Sequence, residues 1–106
     1  MILTDWAYGK APIGTYRSKH WPYLRSQHLK LFPTCAVCGG KDKLEVHHIK
    51  PFHLFPELEL DVMNFITLCE SKKFGGSCHR LVGHLNYWKS WNPDVVKHAV
   101  LIKNVF

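Results

Sequence analysis

The sequence predicts one small α+β domain in which a short β-hairpin lies between helices. Three observations predict this fold. Two β-prone segments, 44–48 and 64–69, lie in the middle of the chain, and segments with helical periodicity precede and follow them. Four cysteines in two pairs flank the same central region. At 106 residues the chain can form one modest core, which is marginal without a cross-link or a metal.

Composition and charge narrow the class of protein. A hydrophobic content of 46% is ordinary for a folded domain. No apolar run approaches the roughly 20 residues of a membrane span, and the first residues lack the pattern of a signal peptide. We therefore expect a cytoplasmic protein that does not insert into a membrane. The formal net charge of +6 favours a polyanionic partner, with nucleic acid first and an anionic membrane surface second.

The N-terminal third predicts an arm and a helix. Residues 1–17 combine aromatic residues with glycine and proline without a period, which indicates an extended arm with Arg17 on its outside. Apolar residues then recur at helical spacing over 18–32, where Pro22 is tolerated in the first turn and Pro33 ends the helix. Basic side chains fall mostly off this stripe and form either a solvated face or a surface that contacts phosphates: Arg17, Lys19, Arg25 and Lys30.

The middle of the chain predicts the hairpin and its connections. Residues 34–40 form a turn that carries two cysteines, and 41–43 form a hairpin tip. The first strand then runs over 44–48. Residues 50–62 contain two prolines without a sustained period and indicate a loop, after which 64–69 form the second strand.

Two further helices follow the hairpin. Ser77 is a candidate N-cap for a helix that begins near Cys78 and runs towards Tyr87. The triplet Asn92-Pro93-Asp94 combines a cap residue, a proline and an acid, and predicts a C-terminal helix over 92–103.

The cysteines have the pattern of a metal site. Two residues separate the first pair, thirty separate the pairs, and eight separate the last two: Cys35, Cys38, Cys69 and Cys78. A Cys-x2-Cys turn places two sulfurs on one zinc ion with little strain, and four cysteines complete a closed, structural tetrahedron. Free thiols or two disulfides are the alternatives, but cysteines of a reducing compartment are more often metal ligands. The zinc would tie the hairpin to the segment from residue 64 onward.

The histidines indicate a second, open site. His47 and His48 are adjacent at the end of a predicted strand, where the pleat breaks down before Pro51, and His79 directly follows Cys78. Neutral ligands with open positions suit a hydrated divalent cation that also binds a phosphate, and a neighbouring unbound histidine can deprotonate water. Asn64 either holds the histidine loop or is an ordinary turn residue. The isolated histidines are expected to be structural or exposed: His20, His28 and His98.

Together these motifs resemble an HNH nuclease of the ββα-metal (His-Me finger) type, over residues 33–84. The motifs are Cys35-Ala-Val-Cys38-Gly, Leu-Glu-Val-His47-His48-Ile-Lys-Pro, Asn64-Phe-Ile-Thr-Leu-Cys69 and Cys78-His79. The resemblance implies two antiparallel strands and a helix around one catalytic Mg²⁺, Mn²⁺ or other divalent cation, with a structural zinc behind. By position it makes His48 the general base and His47 and His79 the metal ligands, and Asn64 would orient the loop that bears His48. The long gap between Cys69 and Cys78 departs from the commoner two-residue spacing.

The resemblance also implies an activity, the hydrolysis of DNA phosphodiesters to a 5′ phosphate and a 3′ hydroxyl. Arg80 is either a transition-state contact or a helix-surface residue. His84 could contact phosphate or assist the metal, although a surface histidine is the favoured interpretation. The alternative functions are a non-catalytic zinc-ribbon module that binds nucleic acid and a zinc-stapled protein-interaction domain.

The predicted organisation is a single nuclease domain over 1–106. Its core spans about 33–84, the arm and first helix span 1–32, and the last helix spans 92–103. Because one active site cuts one strand, a monomer would nick DNA, whereas a double-strand break would need a homodimer or two visits. The sequence leaves monomer and homodimer open.

Overall fold

The structure, a computed structural model, describes residues 17–71, 77–85 and 90–104. The prediction for the N-terminal arm up to residue 16 lies outside these residues. The described elements follow in chain order: α1 (Trp21–Leu31), β1 (Leu44–His48), two 3₁₀ turns (Pro56–Leu58 and Val62–Asn64), β2 (Phe65–Cys69), a π-helical turn (His79–Gly83) and α2 (Val95–Lys103). The predicted α+β class with a central two-strand hairpin is confirmed.

The two strands form an antiparallel sheet, and the adjacent histidines His47 and His48 lie on its two opposite faces. Leu44 pairs with Cys69, His47 with Ile66 and His48 with Phe65. Because neighbouring side chains of a strand point to opposite faces, His47 and His48 belong to different layers of the domain.

Helix α1 covers the face of the sheet that carries His48. The ring of Phe65 makes edge contacts with Trp21 at 5.3 Å and with His28 at 5.6 Å between centroids. Thr67 Oγ1 donates to the Phe32 carbonyl at 2.9 Å. The helix begins at Trp21, later than the predicted residue 18, because the residues before it form a turn.

The opposite face of the sheet builds the main core. Ile66 and Leu68 pack there with buried residues of the cysteine turns and of α2: Cys35, Val37, Cys69, Cys78, Val95 and Ala99. Helix α2 begins at Val95 after an Asn92 turn, in which Asn92 Oδ1 accepts from the Asp94 N–H at 3.0 Å. The predicted C-terminal helix therefore closes the core on the side away from α1.

The helix predicted from Cys78 towards Tyr87 is shorter and differently wound. Ser77 does cap its start, since its Oγ accepts from the Arg80 N–H at 3.1 Å. The chain then forms a π-turn, in which the His84 N–H donates to the His79 carbonyl at 3.1 Å. At Leu85 the backbone φ is 53°, which is incompatible with a right-handed helix. The helix therefore ends before this residue.

The predicted loop 50–62 contains the first 3₁₀ turn and leads directly into the second, and Asn64 belongs to the second turn and not to β2. Within the parts of the chain that the structure describes, no helix has both the length and the apolar character needed to cross a membrane.

Candidate metal centre and active site

The four cysteines converge on one point between the hairpin and the π-turn. Their sulfur atoms all lie within 4.8 Å of one another, and Cys38 Sγ is 3.7 Å from Cys69 Sγ. A tetrahedral zinc with Zn–S bonds of about 2.3 Å needs sulfurs about 3.8 Å apart. None of the four forms a disulfide, so the disulfide alternative is wrong. The donor set and its spacing therefore fit zinc.

The first cysteine pair owes its geometry to a tight turn. The Cys35 N–H donates to the Gly40 carbonyl at 2.8 Å, and the Gly39 N–H donates to the Cys35 carbonyl at 2.9 Å. Gly39 has φ of +76°, a left-handed conformation that glycine adopts without strain. Burial raises the pKa of the Cys35 and Cys78 thiols, and for Cys78 the neighbouring Cys35 adds to the shift. A zinc ion would supply the positive charge that stabilises them as thiolates.

Three histidines form a second cluster next to the cysteines. One ring nitrogen from each of His47, His79 and His84 lies within 4.8 Å of the others. The Nε2 atoms of His79 and His84 are 3.3 Å apart, close to the roughly 3.3–3.4 Å expected for two nitrogens bound at about 2.0–2.1 Å to a tetrahedral metal. His47 Nε2 is buried and has no hydrogen-bond partner among the residues that the structure describes. A divalent cation would satisfy this orphaned nitrogen, so the residues present fit a metal.

Hydrogen bonds to the outer ring nitrogens orient two of these histidines. His79 Nδ1 contacts the Glu70 carboxylate, and His84 Nδ1 donates to the Ser90 carbonyl at 2.8 Å. Each bond leaves the Nε2 lone pair directed into the cluster, as partners of this kind do for metal-ligating histidines. Sequence reasoning missed Glu70, although a carboxylate directly after Cys69 was an available signal.

The π-turn explains why His84 belongs to this cluster. Residues five apart in an α-helix point about 140° away from each other. The widened turn from His79 to Gly83 instead returns His84 to the side of His79, at 4.8 Å between ring centroids. His84 is half-buried, so the favoured interpretation of a surface histidine is wrong. Burial and the neighbouring His79 lower its pKa to about 4.

Gly83 leaves the space that His47 occupies. A Cβ at this position would lie 3.0 Å from Leu68 Cδ1 and 3.1 Å from His47 Cε1. Both contacts are tighter than ordinary carbon contacts of about 3.5–4.0 Å. The ring of His47 therefore approaches the π-turn as closely as it does because this residue has no side chain.

His48 lies on the other face of the sheet, against α1. Its Nε2 is 2.8 Å from the Glu59 carbonyl, so Nε2 donates and Nδ1 keeps the lone pair. Its ring packs on Trp21 at 4.6 Å between centroids. The pKa of His48 is lowered to about 4, first by burial and then by the charge of Arg17, against an opposing effect of the Glu59 bond. Strand pairing persists through His48, so the expected breakdown of the pleat does not occur.

Asn64 ties the two ends of the long β1–β2 connection together. Its Oδ1 accepts from the Lys50 N–H at 2.8 Å, and its Nδ2 donates to the Lys50 carbonyl at 3.0 Å and to the Leu58 carbonyl at 3.3 Å. Leu58 precedes Glu59, whose carbonyl holds His48. Asn64 therefore braces the loop that orients this histidine.

Two arginines lie next to the candidate histidines. Arg80 lies beside His79 in the π-turn, half-buried. Arg17, expected on the outside, is instead half-buried next to His48.

The isolated histidines belong neither to the cysteine cluster nor to the three-histidine cluster. His28 is buried against Phe65, and His98 Nδ1 lies 2.8 Å from the Asn92 amide, while His20 is exposed.

Comparison with known proteins identifies the segment that contains both clusters. Residues 35–84 match the family model described as HNH endonuclease. No curated protein and no solved structure matches the chain significantly. The matched segment begins at the first zinc-site cysteine and ends at His84, the last ligand candidate. Residues 35–84 of this chain are therefore similar to HNH endonuclease domains, the resemblance that their motifs predicted.

Proposed function

We propose that this protein is a metal-dependent endonuclease that hydrolyses phosphodiester bonds in DNA, with His48 as the general base. The HNH domain indicates a nuclease-type function. The observation that supports this reaction best is the placement of His47 and His48 on opposite sides of one strand end, with the three-histidine cluster on one side only. The net charge of +6 supports a polyanionic substrate.

This placement suits an in-line displacement at phosphorus. The attacking and leaving oxygens lie on opposite sides of a phosphoryl group, so the group that activates water and the group that stabilises the leaving oxygen must also be on opposite sides. Because side chains alternate between the two faces of β1, the adjacent residues His47 and His48 lie on opposite sides in this way. A phosphodiester at the end of the strand would have His48 on its water side and the cluster of His47 on its leaving-oxygen side.

His48 has the tautomer that a base needs. The Glu59 carbonyl holds the proton on Nε2, which leaves Nδ1 to take a proton from water. The lowered pKa keeps the ring neutral at pH 7, and the negative charge of an arriving phosphate would raise that pKa towards the working range. Asn64 supports the same loop through Leu58 and is a positioning residue.

The cation site would be formed by His47, His79 and His84, with Glu70 behind His79. A bound divalent cation supplies Lewis-acid stabilisation of the charge that develops on the leaving oxygen. Three imidazole nitrogens suit Mn²⁺ and later transition metals better than Mg²⁺, which prefers oxygen ligands. We therefore expect Mn²⁺ to support cleavage at lower concentrations than Mg²⁺. The cysteine cluster would hold a structural zinc.

The segments outside the matched region would assist this core. Helix α1 would supply basic side chains towards DNA, while α2 contributes Val95 and Ala99 to packing. A single site of this kind would nick one strand, and a homodimer would be required for concerted cleavage of both strands.

The test is conversion of supercoiled plasmid to open circles by purified protein with Mn²⁺, with Mg²⁺ and without added cation. We expect cation-dependent nicking that His48→Ala abolishes, while the variant remains folded, although less stable, and still binds a DNA duplex. His20→Ala, at an exposed histidine, is the matched control and should cleave as the wild type does. Duplex binding without cleavage under any cation would instead support the zinc-ribbon binding module.

A further inference from the structure

The guanidinium of Arg17 lies beside the lone pair of His48. Its Nη1 donates to His48 Nδ1 at 3.3 Å and lies 4.0 Å from Glu59 Oε2. The guanidinium carbon lies 5.0 Å from the centre of the Trp21 ring and 4.6 Å from that of Phe52. Two aromatic faces therefore hold this cation beside the base.

This contact occupies the atom that the proposed reaction needs. A neutral imidazole has one donor nitrogen and one acceptor nitrogen. Because His48 Nε2 donates to the Glu59 carbonyl, Nδ1 is the acceptor, and Arg17 can only donate to it. A water molecule cannot pass its proton to Nδ1 while the guanidinium is hydrogen-bonded there.

We propose that Arg17 caps the base in the DNA-free protein and moves to the scissile phosphate when DNA binds, which exposes His48 Nδ1 to the attacking water. This inference rests on the proposed function and deepens it, since it names the residue that links phosphate binding to activation of the base.

The present partners of Arg17 are weak enough to be exchanged. The bond to the neutral His48 nitrogen is long for an N–H donor, and the Glu59 contact stands at the limit for an ion pair. The Glu59 carboxylate already accepts the Ser18 N–H, at 2.9 Å to one oxygen, and therefore keeps a partner when Arg17 leaves. A phosphate offers a guanidinium two parallel charge-assisted bonds, which are stronger and shorter.

The Arg17 side chain is also partly exposed and makes few polar contacts. The Arg17 side chain is 22% exposed, so a phosphate can reach it without opening the core. Among the residues that the structure describes, the contacts with His48 and Glu59 are its only polar contacts, and its Nε has no partner. Several of its five N–H groups therefore remain for an anion. The aromatic faces of Trp21 and Phe52 would steady the stem as the head group turns.

The first test observes the cap directly by ¹⁵N NMR of the His48 ring. Arg17→Met keeps an unbranched stem between the two aromatic rings and removes every donor, and Arg17→Ala is a second variant if it does not fold. In the free protein, the Nδ1 resonance of Arg17→Met should differ from that of the wild type. It should lie closer to the position of a neutral imidazole nitrogen that accepts no hydrogen bond from a cation. Adding a short DNA duplex without catalytic cation should shift the wild-type resonance in the same direction. An unchanged resonance in either comparison would overturn the cap.

The second test asks whether Arg17 reaches a phosphate. The slope of log affinity against log salt concentration for the duplex should fall by about one in Arg17→Met, and affinity should fall about tenfold or more. Arg17→Lys keeps the charge and should keep the slope. An unchanged slope in Arg17→Met would overturn the transfer.

These readouts separate the two proposals. A protein that passes both tests but leaves plasmid uncut would retain the movement of Arg17 and lose the nuclease. A protein that nicks plasmid with His48 but shows no effect of Arg17 would retain the nuclease and lose this inference. Failure of the wild type to bind the duplex would remove both.

Discussion

Adding a single methyl group at Gly83 should disturb the proposed cation site without replacing any of its candidate ligands. The new Cβ of Gly83→Ala would lie 3.0 Å from Leu68 Cδ1 and 3.1 and 3.2 Å from His47 Cε1 and Nδ1. Ordinary carbon contacts are about 3.5–4.0 Å, so each neighbour must move by a few tenths of an ångström. Because Leu68 is fully buried in the main core, we expect the ring of His47 to be the group that moves.

The expected magnitudes follow from these distances. Overpacking of a core costs about 1–3 kcal/mol, and the change from glycine to alanine in a helix returns about 0.5–1 kcal/mol. A net loss of about 1 kcal/mol would lower the melting temperature of a domain of this size by about 4–8 °C. A metal site tolerates about 0.2 Å in ligand distance, so a shift of a few tenths of an ångström at His47 should weaken cation binding about tenfold.

Calorimetric titration with Mn²⁺ and a thermal melt measure the two effects of Gly83→Ala. The matched control is the same substitution in a His47→Ala background, where two of the three close contacts are gone. There Gly83→Ala should cost less stability than in the wild type, and the difference is the coupling between the two positions. Unchanged Mn²⁺ affinity together with an unchanged melting temperature in the single variant would refute the reasoning.

Three further predictions concern the surroundings of the two clusters and of α1. Glu70→Ala should weaken cation binding about 10–100-fold because His79 loses the partner that orients it, whereas Glu70→Gln keeps an acceptor and should lose less; equal affinities for both variants and the wild type in the same titration would contradict this. Cys35→Ser should lose bound zinc and the cooperative melt, and retention of one zinc per chain with an unchanged melting temperature would argue against a structural zinc. Burial lowers the pKa of His28 below its usual 6.5, so the unfolded chain takes up this proton first as the pH falls. The contribution of His28 to stability should therefore be lost below about pH 6.5, and the free energy of unfolding of His28→Phe should fall less than that of the wild type between about pH 7 and 5. Denaturant unfolding in which this free energy falls equally with pH in both proteins would contradict the prediction.

Much of the candidate site could be predicted because it depends on residues close together in the chain. The Cys35–Cys38 turn requires only two intervening residues and a glycine that accepts a positive φ. The adjacency of His47 and His48 in a β-prone run already implied opposite faces within a regular strand. The predicted breakdown of the pleat there was wrong because β2 pairs with β1 up to His48 itself.

Other features depend on contacts that chain spacing does not encode. The sequence by itself determined the α+β class, the four cysteines that come together, and the family motif, since these follow from local periodicity and fixed spacings. Only the tertiary structure decided the place of His84, because a π-turn and not an α-helix follows His79. It also decided the place of Arg17, which meets His48 across 31 residues once α1 packs on the sheet. Local preferences select the elements, but the packing of one element on another selects which polar groups become neighbours.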